Sequence, residues 1–166
     1  MVNFAFFSGT VTMISNFPTG QTGEEGCYQL FSVVDGTGST VNFVISPTTY
    51  CIEQAVISTG DRITGYYDAN APVPLIYPPQ FRGLIVAADN PNYSVKAGFF
   101  NSQLLSSDGM LKLNIAPYTQ VLLTNGQPFT GNIANRNLIV VYGPATKSIP
   151  AQTTPYKVIV WCNSPS

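Results

Sequence analysis

Histidine is absent from the 166 residues of this chain, and that absence bounds its chemistry first. Without imidazole the commonest general base and the commonest transition-metal ligand are missing, so a Ser-His-Asp or Cys-His site cannot form within one chain. Ser-Lys chemistry would need a positioned pair, and Lys147-Ser148 carries no recognisable motif. The acids are Glu24, Glu25, Asp35, Glu53, Asp61, Asp68, Asp89 and Asp108. Asp35 and Asp108 each precede a glycine and Asp61 follows Gly60, so turn formation accounts for them. Calcium needs several oxygen ligands, and no Asp-x-Asp-x-Asp loop is present. No catalytic, cofactor or metal site is therefore expected, and no enzymatic activity.

The cysteines Cys27, Cys51 and Cys162 lack metal-ligand spacing, and their odd number prevents complete internal pairing. Two readings stay open: burial as small hydrophobes, or disulfide links within or between subunits in an oxidising setting. Cys51 and Cys162 lie in apolar strand-like runs. Cys27 follows Gly26 at a loop edge and is the best candidate for an intermolecular link.

The elements that would position such groups read as strands. Hydrophobic residues make up 45%, charged residues only 9%, and the formal net charge is -1. A surface of Ser, Thr, Asn, Gln and Tyr with so little charge offers weak repulsion against self-association. The cations Arg62, Arg82, Lys96, Lys112, Arg136, Lys147 and Lys157 are scattered, which disfavours nucleic-acid binding. The longest apolar runs are too short to span a bilayer as helices. The first residues lack the basic start and long apolar middle of a signal peptide.

Strands are expected over Phe6 to Ile14, Tyr28 to Val34, Thr40 to Ile45, Arg62 to Tyr67 and Phe81 to Ala87. Asp35-Gly36-Thr37-Gly38-Ser39 reads as a hairpin turn and Gly9 as a bulge or close-approach site. Much of this recurs. Val41 to Ile52 aligns without a gap on Leu111 to Leu122, with Pro47 on Pro117 and Thr49 on Thr119. Arg62 to Asp68 then meets Asn137 to Gly143, and Phe81 to Val86 meets Tyr156 to Trp161. The expected architecture is all-β: two tandem OB-like small β-barrels or β-sandwich units from an internal duplication. The first covers residues 1–88 with an N-terminal apolar arm, the linker is 89–92, and a second, shorter unit covers 93–166.

The order of a first strand, an Asp-Gly hairpin, a variable connector, a fourth strand, a long loop and a fifth strand resembles an OB-fold. That resemblance implies that the Pro-rich loop before the last strand borders the ligand face, with Val73, Leu75, Ile76 and Tyr77 as its candidate contacts. Strand aromatics such as Tyr28, Phe31, Phe43, Tyr66 and Tyr67 are candidates for stacking on a ligand, or else for the core. The arm Val2, Asn3, Phe4, Ala5, Phe6 and Phe7 is a candidate assembly element, because exposed sheet edges template pairing.

The run from Thr59-Gly60-Asp61 to Tyr67-Asp68, followed by Pro72-Val73-Pro74-Leu75-Ile76-Tyr77-Pro78-Pro79, resembles low-charge β proteins at the surface of spore-forming bacteria. The resemblance implies an extracellular or spore-surface location reached without a signal peptide; a cytoplasmic location stays open. The functional expectation is a structural, self-assembling subunit of a fibre, appendage or coat, with other copies of itself as partners. The alternative is an OB-like binding module for carbohydrate, peptide or single-stranded nucleic acid.

Overall fold

The structure, a computed structural model, describes residues 1–162. It is all-β, with thirteen strands and no α-helix among the described residues. The chain divides into two compact units: one is Asn3–Asp89, and the other joins Met1–Val2 to the chain from Asn90 onward.

In the first unit β1 (Phe4–Asn16), β2 (Gln29–Val34), β3 (Thr40–Ile45), β4 (Tyr50–Cys51), β5 (Arg62–Asp68), β6 (Gln80–Arg82) and β7 (Ile85–Ala88) share one sheet. β1 works in two halves. Phe4 to Thr10 pairs antiparallel with β5, and Thr10 to Asn16 pairs antiparallel with β2. The strand must turn where the halves meet. It does so through a register shift between Val11 and Met13 and through Gly9, whose missing side chain lets the backbone of Val34 lie against it. Gly9 is thus the close-approach site, and the bulge lies beyond it.

β2 and β3 form an antiparallel hairpin, β3 pairs in parallel with β6, and β7 pairs antiparallel with β5. The last strand expected from the sequence is broken at Gly83 and Leu84. There Gly83 N donates to Val44 O at 2.9 Å and Leu84 N donates to Tyr66 O at 2.8 Å. One run of chain therefore bonds to β3 on one side and to β5 on the other.

Alternation along these strands sends Val11, Phe31, Val33, Val41, Phe43, Ile45, Ile63 and Val86 into one core. Phe43 is fully buried, and Gly65 makes its room: a Cβ there would lie 2.6 Å from the ring. Tyr67 stacks on Phe81 at 3.8 Å between centroids, and both rings lean on Phe43. Of the aromatics considered for ligand stacking, Phe31, Phe43 and Tyr66 are buried, while Tyr28 and Tyr67 are half-buried.

The second unit contains β8 (Ser94–Phe100), β9 (Leu111–Leu113), β10 (Gln120–Leu123), β11 (Arg136–Tyr142), β12 (Ala151–Thr153) and β13 (Lys157–Val160). One sheet runs β10-β13-β11-β8, and β12 pairs in parallel with β9. Its opening hairpin is short: Phe100 bridges Ser106 and Leu105 bridges Lys112. Phe100, Leu111, Leu113, Leu138, Val140, Val158 and Val160 form the core. β11 is buried along Asn137 to Val141 without alternation, which is why its sequence reads as one apolar run.

The same turn opens β4 and β10. Thr49 N donates to Ser46 O and Ser46 N donates back to Thr49 Oγ1, whose proton goes to Gly83 O at 2.7 Å. Thr119 N donates to Ala116 O, Ala116 N donates back to Thr119 Oγ1, and that hydroxyl donates to Pro155 O at 2.8 Å. Proline follows Ser46 and Ala116 because the second position of such a turn wants φ near its locked value. These bonds equate Gly83 with Pro155. Tyr50 N donates to Leu84 O as Gln120 N donates to Tyr156 O, which equates Leu84 with Tyr156. The alignment of Phe81 to Val86 on Tyr156 to Trp161 is therefore out of register by three residues.

Candidate functional site

The loop over residues 69–79 is built from its ends inward. β5 stops at Asp68, whose Oδ1 accepts from Asn70 N at 3.0 Å and from Asn3 N at 3.2 Å. A carboxylate at that position caps the strand end and starts a turn. The loop is gripped again at Pro79, whose carbonyl accepts from Asn42 N at 2.8 Å as the chain enters β6. Between these anchors Pro72, Pro74, Pro78 and Pro79 lock φ and supply no N–H, so the tip has few ways to fold back on the sheet. Its apolar side chains stay in water. Leu75 is 100% exposed and Tyr77 83%, with Val73 and Ile76 also exposed. The four residues expected from the sequence as contacts are thus all exposed on this one loop.

The second unit has a related loop before β12. Thr146 N donates to Gln152 O, Gln152 N donates to Thr146 Oγ1, and Thr153 Oγ1 donates to Pro144 O. Ile149 projects from it at 83% exposure. The peptide bonds Tyr77-Pro78 and Ile149-Pro150 are both cis. Ile149 was not among the expected contacts, although an apolar residue before proline in a Pro-rich loop was the available signal. Ser148 Oγ meets Thr146 Oγ1 at 2.7 Å and Pro150 O at 2.8 Å, so this hydroxyl is held within its own loop.

The arm Val2 to Phe7 is not a free segment. Phe4, Ala5, Phe6 and Phe7 pair with Asp68, Tyr67, Tyr66 and Gly65, Ala69 N donates to Asn3 O, and Val2 O accepts from Asn137 Nδ2 at 3.0 Å. Within it Phe6 is 65% exposed. The three cysteines are free and are not brought together as a bridge. Cys51 packs against the first core, and burial pushes its thiol pKa up. Cys27 is exposed, as its loop position suggested. Cys162 is also exposed, because it follows the end of β13 rather than continuing its buried run.

Asp35 and Asp108 serve turns. Asp35 Oδ1 accepts from Thr37 Oγ1, Thr37 N and Ser39 N, and the Thr37 hydroxyl leads the contacts that lower its pKa. Asp108 accepts from Ser106 Oγ, Met110 N and Lys96 Nζ. Partial burial pushes its carboxyl up, but these bonds and the Lys96 charge outweigh that and hold it at about 2. Among the described residues no three His, Cys, Asp or Glu are grouped to hold a metal. No helix among them is long and apolar enough to cross a membrane. No protein-family model and no curated protein matches the chain.

Proposed function

We propose that the chain is a structural, self-assembling subunit of an extracellular or spore-surface coat, fibre or appendage, built from two OB-like barrels that arose by duplication. The barrel reading is supported by the pairing order in the first unit, where β1, β2, β3, the run β6 to β7, and β5 follow one another around to β1. The duplication reading is supported by the matched turns at Thr49 and Thr119. It is also supported by the paired parallel contacts β4 with β7 and β10 with β13.

The observation that carries the assembly reading is the exposed tip Val73, Leu75, Ile76 and Tyr77 on a proline-stiffened loop. Fully burying one such side chain contributes about 1.5–3 kcal/mol. A stiff loop also loses little conformational freedom on docking. With a formal net charge of -1, copies of the chain meet little repulsion. Sedimentation velocity of the wild type against Leu75→Asp/Tyr77→Asp tests this. Wild type should sediment as a multimer and the double variant as a monomer; a wild type that stays monomeric at every concentration overturns the reading.

A binding module for carbohydrate or peptide is the second reading. The half-buried Tyr67–Phe81 stack favours it, since it lies on the strands that flank the same loop. A monodisperse chain whose melting temperature rises with one member of a glycan or peptide panel would favour it over assembly.

A further inference from the structure

We propose that Asn125 is a site of spontaneous covalent modification: the residue at which the native chain deamidates through a succinimide formed with Gly126. Asn125-Gly126 is the chain's single Asn-Gly step. It lies at the exposed tip of the connector after β10, where Leu123 N donates to Gln127 O and Leu122 bridges Pro128. Gly126 stands at φ 87, and a Cβ there would meet nothing within 4 Å, so no atom beyond its chain neighbours crowds the residue. Gln127 N donates to Asn125 Oδ1 at 3.0 Å. That donor curls the side chain over the following peptide and faces the oxygen on which negative charge develops when Cγ is attacked.

The chemistry needs only water and a proton acceptor from solvent. The Gly126 nitrogen attacks Asn125 Cγ, and the new C–N bond closes a five-membered ring. The Cγ–Nδ2 bond breaks, and the amide leaves as ammonia with the proton that Gly126 has given up. Water then adds to either ring carbonyl and opens it to aspartate or isoaspartate. One contact opposes the attack: Gly126 N donates to Leu123 O at 3.0 Å, so the proton that this nitrogen must lose to become nucleophilic is held until that bond opens. The turn thus both polarises the electrophile and restrains the nucleophile, and the second effect sets the rate. Either product adds a carboxylate to a surface of formal net charge -1. Isoaspartate also lengthens the backbone of the loop and breaks the closure between Leu123 and Gln127.

The test is incubation of the full chain at neutral and mildly alkaline pH, followed by peptide mapping for the amide-to-acid mass change and an isoaspartate assay. Conversion at Asn125 should precede that at any other asparagine and rise with pH. It should run about tenfold slower in the native chain than in denaturant, because one hydrogen bond must open first. Asn125→Ser should abolish the earliest ammonia release. Gly126→Asn, in which asparagine tolerates positive φ, should slow it without unfolding the loop. Earlier conversion at another asparagine, a native rate equal to the unfolded one, or no slowing in Gly126→Asn would overturn the proposal.

Discussion

Replacing Thr119 with valine keeps the size and β-branching of the side chain and removes only its hydroxyl. Thr119 is 8% exposed, so water cannot stand in for what is lost. Pro155 O loses a donor at 2.8 Å and Ala116 N loses an acceptor at 3.3 Å. A buried polar group left without a partner costs about 1–3 kcal/mol, and the longer bond weighs less, so Thr119→Val should cost about 2–3 kcal/mol. The equivalent hydroxyl of Thr49 makes the same two bonds but is half-buried. Water reaches the Thr49 side of the turn although Gly83 is buried, so Thr49→Val should cost less, ~1–2 kcal/mol. Urea denaturation followed by tryptophan fluorescence measures the second unit through Trp161, and a calorimetric scan resolves both units. Thr119→Val should lower the second unit's melting temperature by roughly 10–20 °C for a domain of this size. Thr119→Ser, which restores the hydroxyl, should recover most of it. A Thr119→Val chain within about 0.5 kcal/mol of wild type would refute the assignment of that turn to a buried hydroxyl. A Thr49→Val effect larger than that of Thr119→Val would do the same.

Gly65→Ala should destabilise the first unit by about 1–3 kcal/mol, since its Cβ would press on the buried Phe43 ring; an unchanged denaturation midpoint would contradict that packing. The Asp108 carboxyl is depressed from 3.8 to about 2, so its contribution is full above 3.8 and is lost as pH falls toward 2. Asp108→Asn should therefore flatten the acid limb of the stability profile in that window, and an unchanged limb would show that Lys96 and Ser106 do not hold the charge. Native protein treated with a maleimide should label Cys27 and Cys162 quickly and Cys51 slowly, because burial both shields Cys51 and disfavours its thiolate. Equal rates for all three would place Cys51 outside the core.

Local chemistry made several elements legible. Asp35-Gly36-Thr37-Gly38-Ser39 closes a hairpin because the carboxylate takes the following N–H groups and Gly38 accepts a φ of 86. Asp108 and Gly109 do the same before β9, and Gly126 after β10. The exposed apolar tip was legible because prolines at Pro72, Pro74, Pro78 and Pro79 bar the segment from a sheet interior. What was not legible locally depends on long-range pairing. Phe4 to Phe7 is apolar whether it floats or pairs with β5, and only the register against Asp68 to Gly65 decides. The last strands of the two units match in apolar character, which a shift of three residues barely changes. The hydroxyl bonds to Gly83 O and Pro155 O fix that register, and no local pattern announces them. Cys162 sits in an apolar run but past the last ladder bond, so its exposure depends on where the pairing ends and not on composition.

Electron microscopy of the purified chain in ligand-free buffer, with and without reductant, addresses the assembly claim most directly. Ordered filaments or sheets are expected, retained under reductant because the contact proposed is the apolar loop tip rather than a disulfide. Uniformly dispersed particles of single-chain size in both buffers would contradict it.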